Sequence, residues 1–363
     1  MSNISPGGAR IEKKPKKKKD PNKSHTGRSI LIGILIGLAV VAAGVALFLK
    51  FYIRPPMSDS EHMTPDSDSP SISNPDGSDD SITSLPPGLT VREGVYSFVV
   101  AGQRDGNTDT LMVALLDTKA GKLNVISVPR DTVVDASRKM KKINAAYSVG
   151  GGKAKGMEQL RKEMATLVGF VPRNYACVDM KGFVRLVDTI DGVDFDVPMR
   201  MYLPEEGINL RAGQQHLNGD KALQLVRFRG YGPSAGKLGI DHDDYGRMQM
   251  QQNLLKAIAK QTLQLGNLFK VGDFIDIASK DLLSSLDAGN MLWLAEQCMK
   301  LDSDDIIFHT LPTYSVKYAG SSTTTGTYYE IVKSKEALEL INSTINPYTT
   351  PITADMVSWL VLK

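Results

Sequence analysis

Guanidinium and carboxylate groups recur at the ends of apolar runs in this chain, a pairing suited to phosphate chemistry. In "AGQRDGNTDTLMV", Asp105 and Asp109 lie in a polar turn between two strand-like runs. Carboxylates at such an edge can hold a hard cation such as Mg²⁺, which takes oxygen ligands and leaves positions for phosphate oxygens. The same residues also suit an Asx turn that satisfies local backbone N–H groups. In "SVPRDT", Arg130 and Asp131 follow a strand that Pro129 ends. An arginine there can clasp a phosphate through its planar fork, and a plain surface pair with Asp131 is the alternative. "KKINAAYSVGGG" offers Asn144 and Tyr147 as polar contacts, ahead of glycines that open a helix whose N-terminus favours anions. No G-x-x-x-x-G-K-[ST] phosphate loop is present.

The densest charge is in "VRFRGYGPSAGKLGIDHDDYGRMQMQQ", Val226 to Gln252. Arg227 and Arg229 alternate, so on an extended segment both point the same way. Asp244 and Arg247 are three residues apart where a long helix begins, which places them on one face; Asp244 also suits a helix cap. The interval 230–243 reads as a loop, and His242 as a loop residue. His216 and His309 lack partner motifs, and no histidine pair has the spacing of a zinc site. Cys177 and Cys298 sit in apolar settings and read as two free thiols.

These residues need a scaffold. Apolar runs at 95–102, 110–117 and 122–129 read as strands, the first two buried on both faces. Helical patterns follow at 157–169 and 181–190, a strand at 193–198, a long helix from about 244 to 264, a helix at 288–300, a strand at 305–312 and a helix from Ser334. The alternation predicts an α/β/α layered domain with a central, mostly buried sheet, spanning 91–355 and followed by a short tail, 356–363. If strands 95–102 and 122–129 are parallel neighbours, Arg130 emerges at the same edge as Gly102.

The charge is segregated along the 363 residues. Residues 1–29 hold nine Lys/Arg against two acids, and residues 55–90 hold seven acids and no Lys or Arg. The remainder from 91 on carries 32 basic and 31 acidic residues. A nearly neutral domain argues against nucleic-acid binding, whose affinity comes from many phosphate contacts. Ile30 to Leu49 is uncharged and apolar. Twenty such residues at about 1.5 Å rise cover about 30 Å, the thickness of the hydrocarbon core. The basic tail ahead of them predicts a cytoplasmic N-terminus and an extracellular remainder. The length of the run and the lack of an A-x-A-like site weigh against a cleaved leader. Residues 50–90, rich in Pro, Ser and Asp, read as a disordered tether.

Taken in order, "DTLMV", "SVPRDT", "KINAAY", "GG", R-x-R and D-x-G-R-x-x-x-Q-Q resemble the LytR-CpsA-Psr family over residues 92–355. The resemblance implies an α/β/α fold with a long apolar lipid pocket. It also implies a cell-envelope phosphotransferase that moves a glycopolymer from a polyprenyl-pyrophosphate carrier in the cell membrane to peptidoglycan, with Mg²⁺ or Mn²⁺. It assigns Asp109 to the metal, with Asp105 beside it, and Arg130, Arg227, Arg229 and Arg247 to the phosphates. Asp244 is the candidate base, and Asp131, Asn144, Tyr147 and Gln251 are further substrate contacts. Leu223, Leu225, Val226 and the helix face at 157–168 would lie along the lipid or serve as ordinary core. Three departures stand out. Arg104 occupies the position two residues after Gly102 where the family usually has aspartate. Asn107-Thr108 stands in place of an arginine before the Asp-Thr pair, and Met250 or a residue beside it stands in place of a second helix arginine before Gln-Gln. A polyprenyl-phosphate-binding protein without transfer activity, or a polyprenyl-pyrophosphate hydrolase, is the alternative.

Overall fold

The computed structural model describes residues 52–59, 89–138, 141–228, 244–262, 276–277, 280–318 and 327–360. The anchor expected at 30–49 lies outside them. Among the described residues no helix is long and apolar enough to cross a membrane. Residues 53–363 form one compact unit.

A six-stranded mixed sheet is the frame. Its strands are β1 (Val95–Arg104), β2 (Asn107–Asp117), β3 (Lys122–Ser127), β4 (Asn174–Asp179), β9 (Leu282–Ser284) and β10 (Ile306–Thr310), in the order β10-β3-β2-β1-β4-β9. β1 and β3 run the same way but are not neighbours: β2 lies between them, antiparallel to both. The expected direct pairing is thereby corrected. The reason is local: two short turns, at 105–106 and 118–121, make consecutive hairpins, and hairpins give antiparallel neighbours. The expected edge survives, because both strands still end on the same side of the sheet.

The two faces of the sheet are covered by different helices. On one, Val95, Val99, Leu111, Val113 and Leu115 pack against α1 (Lys153–Val168) and α6 (Ser334–Thr344). On the other, Tyr96, Phe98, Met112, Ala114 and Leu116 pack with α5 (Ala288–Cys298) and with Leu255 and Ala259 of α4 (Asp244–Thr262). Alternation along β1 and β2 makes this division. α4 has a second buried side: Leu254 and Ile258 enter another cluster with α2 (Met180–Thr189), α3 (Gly219–Arg227) and two small hairpins. These hairpins are β5 (Val193–Val197) with β8 (Gly213–Leu217), and β6 (Met201–Leu203) with β7 (Ile208–Leu210). A helix gripped from two sides needs apolar residues around most of its circumference, and α4 lacks a narrow apolar stripe for that reason. A last hairpin joins β11 (Thr313–Tyr318) to β12 (Thr327–Val332).

The ends of the domain differ from the sequence expectation. Residues 53–59, inside the stretch read as tether, are docked. Ser97 Oγ donates to Asp59 at 2.6 Å, Asn174 donates to the Met57 carbonyl at 3.1 Å, and Arg54 pairs with Asp287 at 2.5 Å. The C-terminal tail is also tied down: Ser358 N–H donates to the Thr166 carbonyl and Trp359 Nε1 to that of Leu167. Both cysteines are free, and burial in the sheet core pushes the Cys177 thiol up to about 12.

Candidate active site

The site forms where the carboxyl ends of β1 and β4 meet the start of β2. α2, α3 and α4 close over that edge. Ligands of open α/β sheets bind outside strand carboxyl ends. Here a cavity of about 150 Å³ opens there. Its walls are apolar side chains, including Met112, Phe183, Leu223, Val226, Leu254 and Leu255, and its polar part includes Arg104, Asp109, Asp179, Arg227, Arg247 and Gln251. A space of this size accepts a benzene-sized apolar group.

Asp109 owes its direction to a β-bulge. Gln103 pairs with Thr108 and Gly102 with Thr110, which leaves Asp109 as the extra residue between them. Bulges re-aim side chains beside functional sites, and this carboxylate is turned onto the cavity wall. Arg130 Nη1 donates to its Oδ1 at 2.8 Å, and Arg104 Nη2 lies 3.2 Å from its Oδ2. Burial opposes ionisation of Asp109. The hydrogen bond from Arg130 and the charges of Arg104, Arg130 and Arg247 outweigh it and hold the carboxyl below its ordinary value.

Arg130 is fixed by the turn that "PRDT" encodes. Thr132 donates from both N–H and Oγ1 to the Pro129 carbonyl, and the Arg130 carbonyl accepts from Asn144 N–H at 3.1 Å. Asn144 thus acts through its backbone, and its carbonyl accepts from Thr108 at 3.2 Å. Asp131 is committed to Lys142 at 2.7 Å. Tyr147 is buried, and its hydroxyl accepts from Lys153 N–H at 2.9 Å at the start of α1. A Cβ on Gly156 would come within 2.4 Å of the Tyr147 carbonyl, so glycine there permits this packing. In this structure the polar ends of Asp131 and Tyr147 are each engaged by a protein partner.

Arg227 is the last residue of α3 rather than part of an extended segment as expected, and its C-cap, Phe228, is extended. It pairs with Glu206 at 3.2 Å, while its buried Nε has no hydrogen-bond partner. Arg247 is 7% exposed in the first turns of α4. Gln251, one turn on, accepts from Thr110 and donates to the Val226 carbonyl, both at 3.3 Å, so it ties α4 to β2 and α3. Arg229, His242 and the 230–243 interval lie outside the described residues, as does the side chain of Asp244.

Asp105 is corrected as a partner of Asp109. It is exposed at the tip of the β1–β2 hairpin, with φ 51°. The tip is two ladder steps, about 7 Å, beyond the bulge. Asp179 caps α2, accepting from Gly182 N–H at 2.8 Å. Among the described residues no group of three His, Cys, Asp or Glu could hold a metal ion. With Asp109 clasped on both oxygens by guanidinium groups, this donor set does not suit Mg²⁺ or Mn²⁺. Leu225 and the apolar face of α1 are core rather than lipid wall, the latter on the opposite face of the sheet, whereas Leu223 and Val226 do line the cavity. Sequence reasoning assigned no role to Arg104, Phe183 or Asp179. Arg104 was visible as a departure; Asp179 was hidden because polar residues interrupt β4.

The structure is thus a layered α/β domain with an apolar cavity at a strand edge, lined by a buried Arg247 and the half-buried Arg104 and Arg227. The LytR_cpsA_psr family profile matches residues 57–346, and the chain belongs to that family. It is 31% identical over 213 residues to the polyisoprenyl-teichoic acid--peptidoglycan teichoic acid transferase TagU of Bacillus anthracis, a match over 56% of this chain and 64% of the relative. It is 30% identical over 202 residues to the correspondingly named TagV of Bacillus subtilis, over 53% of this chain and 48% of the relative. The matched part thus spans less than two thirds of these curated relatives. The crystal structure of B. subtilis TagV superposes with a TM-score of 0.58 at 25% identity, over 69% of this chain and 96% of that one.

Proposed function

We infer that this protein is a membrane-anchored phosphotransferase that moves a glycopolymer from a polyprenyl-pyrophosphate carrier to peptidoglycan as a phosphodiester. One observation carries the reading: Arg104, Asp109, Arg227 and Arg247 line one apolar cavity, and Arg130 is paired with Asp109. The lipid's first isoprene units enter the cavity and its diphosphate meets the arginines. The names of the relatives, both teichoic acid transferases, support the same assignment.

A hydroxyl oxygen of the acceptor attacks the phosphorus that bears the glycan. The bond from that phosphorus to the bridging oxygen breaks, and polyprenyl phosphate departs with the bond's electron pair. Negative charge grows on the leaving phosphate, and fixed guanidinium donors stabilise it without exchanging protons. Asp109, ionised and clasped, is a poor proton acceptor; its task is to aim Arg130 and Arg104. Asp244 at the start of α4 remains the sequence-based candidate for taking the hydroxyl proton. The basic tail at 1–29 and the apolar run at 30–49 support a single-pass anchor with the domain outside the cell.

The test is reconstitution of the full chain in detergent with a lipid-linked glycopolymer and peptidoglycan. The expected product is polymer joined to glycan through a phosphodiester, with release of polyprenyl phosphate. Release of free phosphorylated polymer whether or not peptidoglycan is added would make the protein a hydrolase.

A further inference from the structure

We propose that Arg104 fills the place beside Asp109 that a divalent ion would take, so that the site neutralises a lipid diphosphate with guanidinium charge alone. The inference rests on the function proposed above and specifies its electrostatics.

Three observations meet here. Both Asp109 oxygens are engaged, Oδ1 by Arg130 at 2.8 Å and Oδ2 by Arg104 at 3.2 Å. Among the described residues, Asp105 is exposed at the hairpin tip and Asp179, on the cavity wall, caps α2. Arg104 is itself on the cavity wall with Arg227 and Arg247. A Mg²⁺ ion at Asp109 would have to displace two permanent cations and then remain next to them and Arg247. Like charges so close repel strongly where water is partly excluded.

The local backbone explains the substitution. β1 runs on through Arg104, which pairs with Asn107 across a two-residue turn. Side chains two apart on a strand share a face, so the ladder brings Arg104 to the side of Gly102, the cavity side. A guanidinium there offers several donors in a rigid fork, always charged, and suits the oxygens of a diphosphate directly.

The experiment uses the full chain in detergent and needs no turnover. Mn²⁺ is titrated and followed by electron paramagnetic resonance, and geranylgeranyl pyrophosphate binding is measured by calorimetry in EDTA or in Mg²⁺. The wild type should show no stoichiometric Mn²⁺ site, and its lipid-diphosphate affinity in EDTA should lie within about threefold of that in Mg²⁺. Arg104→Asp should gain a saturable Mn²⁺ site and bind the lipid diphosphate about tenfold more weakly in EDTA, with Mg²⁺ restoring it. Arg104→Gln, a milder change, should lose about tenfold in both conditions. A one-equivalent Mn²⁺ site in the wild type that Asp109→Asn removes would overturn the proposal. So would a wild-type affinity more than about tenfold weaker in EDTA, or an unchanged affinity in Arg104→Gln. Should the protein transfer no glycopolymer, the functional reading fails, while the Mn²⁺ titration still decides this one.

Discussion

Arg130 Nη1 donates to Asp109 Oδ1 over 2.8 Å, joining the residue that follows β3 to the bulge that opens β2. Asp109 is part-buried and would resist ionisation alone. The Arg130 hydrogen bond and the surrounding arginine charges keep its carboxylate ionised well below neutral pH. The pair is therefore a fixed salt bridge at working pH, and its role is to hold a guanidinium in place rather than to move a proton.

Arg130→Ala and Arg227→Ala should each lower transfer by about 10²–10³-fold, the scale for losing one pre-aimed donor. Arg130→Lys should recover little, since an ammonium lacks the planar fork. Reconstituted transfer assays, with circular dichroism to show folding, check this. Full activity in either alanine variant would remove that arginine from the site.

The docked segment 53–59 should respond to pH. Burial raises the Asp59 carboxyl from 3.8 to about 6, against the hydrogen bond from Ser97 and the charge of Arg173. The folded state thus holds its proton more tightly than the unfolded state. The resulting stabilisation is fully present below about pH 4 and is lost as pH rises through about 6. Asp59→Asn, which needs no proton, should be more stable than wild type at pH 7.5 by about 2 kcal/mol, with the gap closing toward pH 4. Thermal unfolding across pH 4–8 gives the comparison, and parallel curves would show that Asp59 is not buried in solution.

The apolar wall should set lipid affinity. Leu223→Asp places a charge among Phe183, Val226 and Leu254. Geranylgeranyl phosphate binding should weaken by about 10–100-fold, since an unpaired carboxylate tolerates an apolar neighbour poorly. Inorganic pyrophosphate, which has no tail, should lose much less. Equal losses for both would put the tail elsewhere.

Gln252 locks the helix that carries Arg247. Its Nε2 lies within hydrogen-bond distance of Ser127 Oγ, the His309 carbonyl and Thr310 Oγ1, at 2.9, 3.0 and 3.1 Å. Gln252→Ala should cost about 1–3 kcal/mol by leaving buried acceptors without their donor. It should also reduce transfer, because α4 would no longer seat firmly on β3 and β10. Urea unfolding and the transfer assay together test it; a destabilised but fully active variant would separate α4 seating from catalysis.

Much of this molecule was legible before folding. Nearly continuous apolar runs at 95–102 and 110–117 specify strands buried on two faces, and the helical period at 157–169, at 181–190 and from Ser334 specifies helices between and around them. Local chemistry of this kind depends only on neighbours in the chain. "PRDT" likewise reads as the end of a strand, and Arg130 lies at the edge expected of it. Short strands such as β4 and β6–β9 were not legible, because three to six residues with mixed polarity carry too little periodicity and their pairing partners are distant.

The site itself was a tertiary decision. No local rule says that Tyr147 spends its hydroxyl on Lys153, that Asp105 is held out at a turn tip, or that Arg227 ends a helix. Nor does sequence spacing reveal that Arg104 turns onto Asp109, since a one-residue bulge redirects the carboxylate and only the paired ladder shows where the extra residue falls. Composition and period determined the layers; the long-range register of β1 on β2, and α4 crossing the sheet edge, decided which charges meet. Charge–charge contact depends on distances of a few ångströms in space, and the chain alone sets only the order in which the charges come.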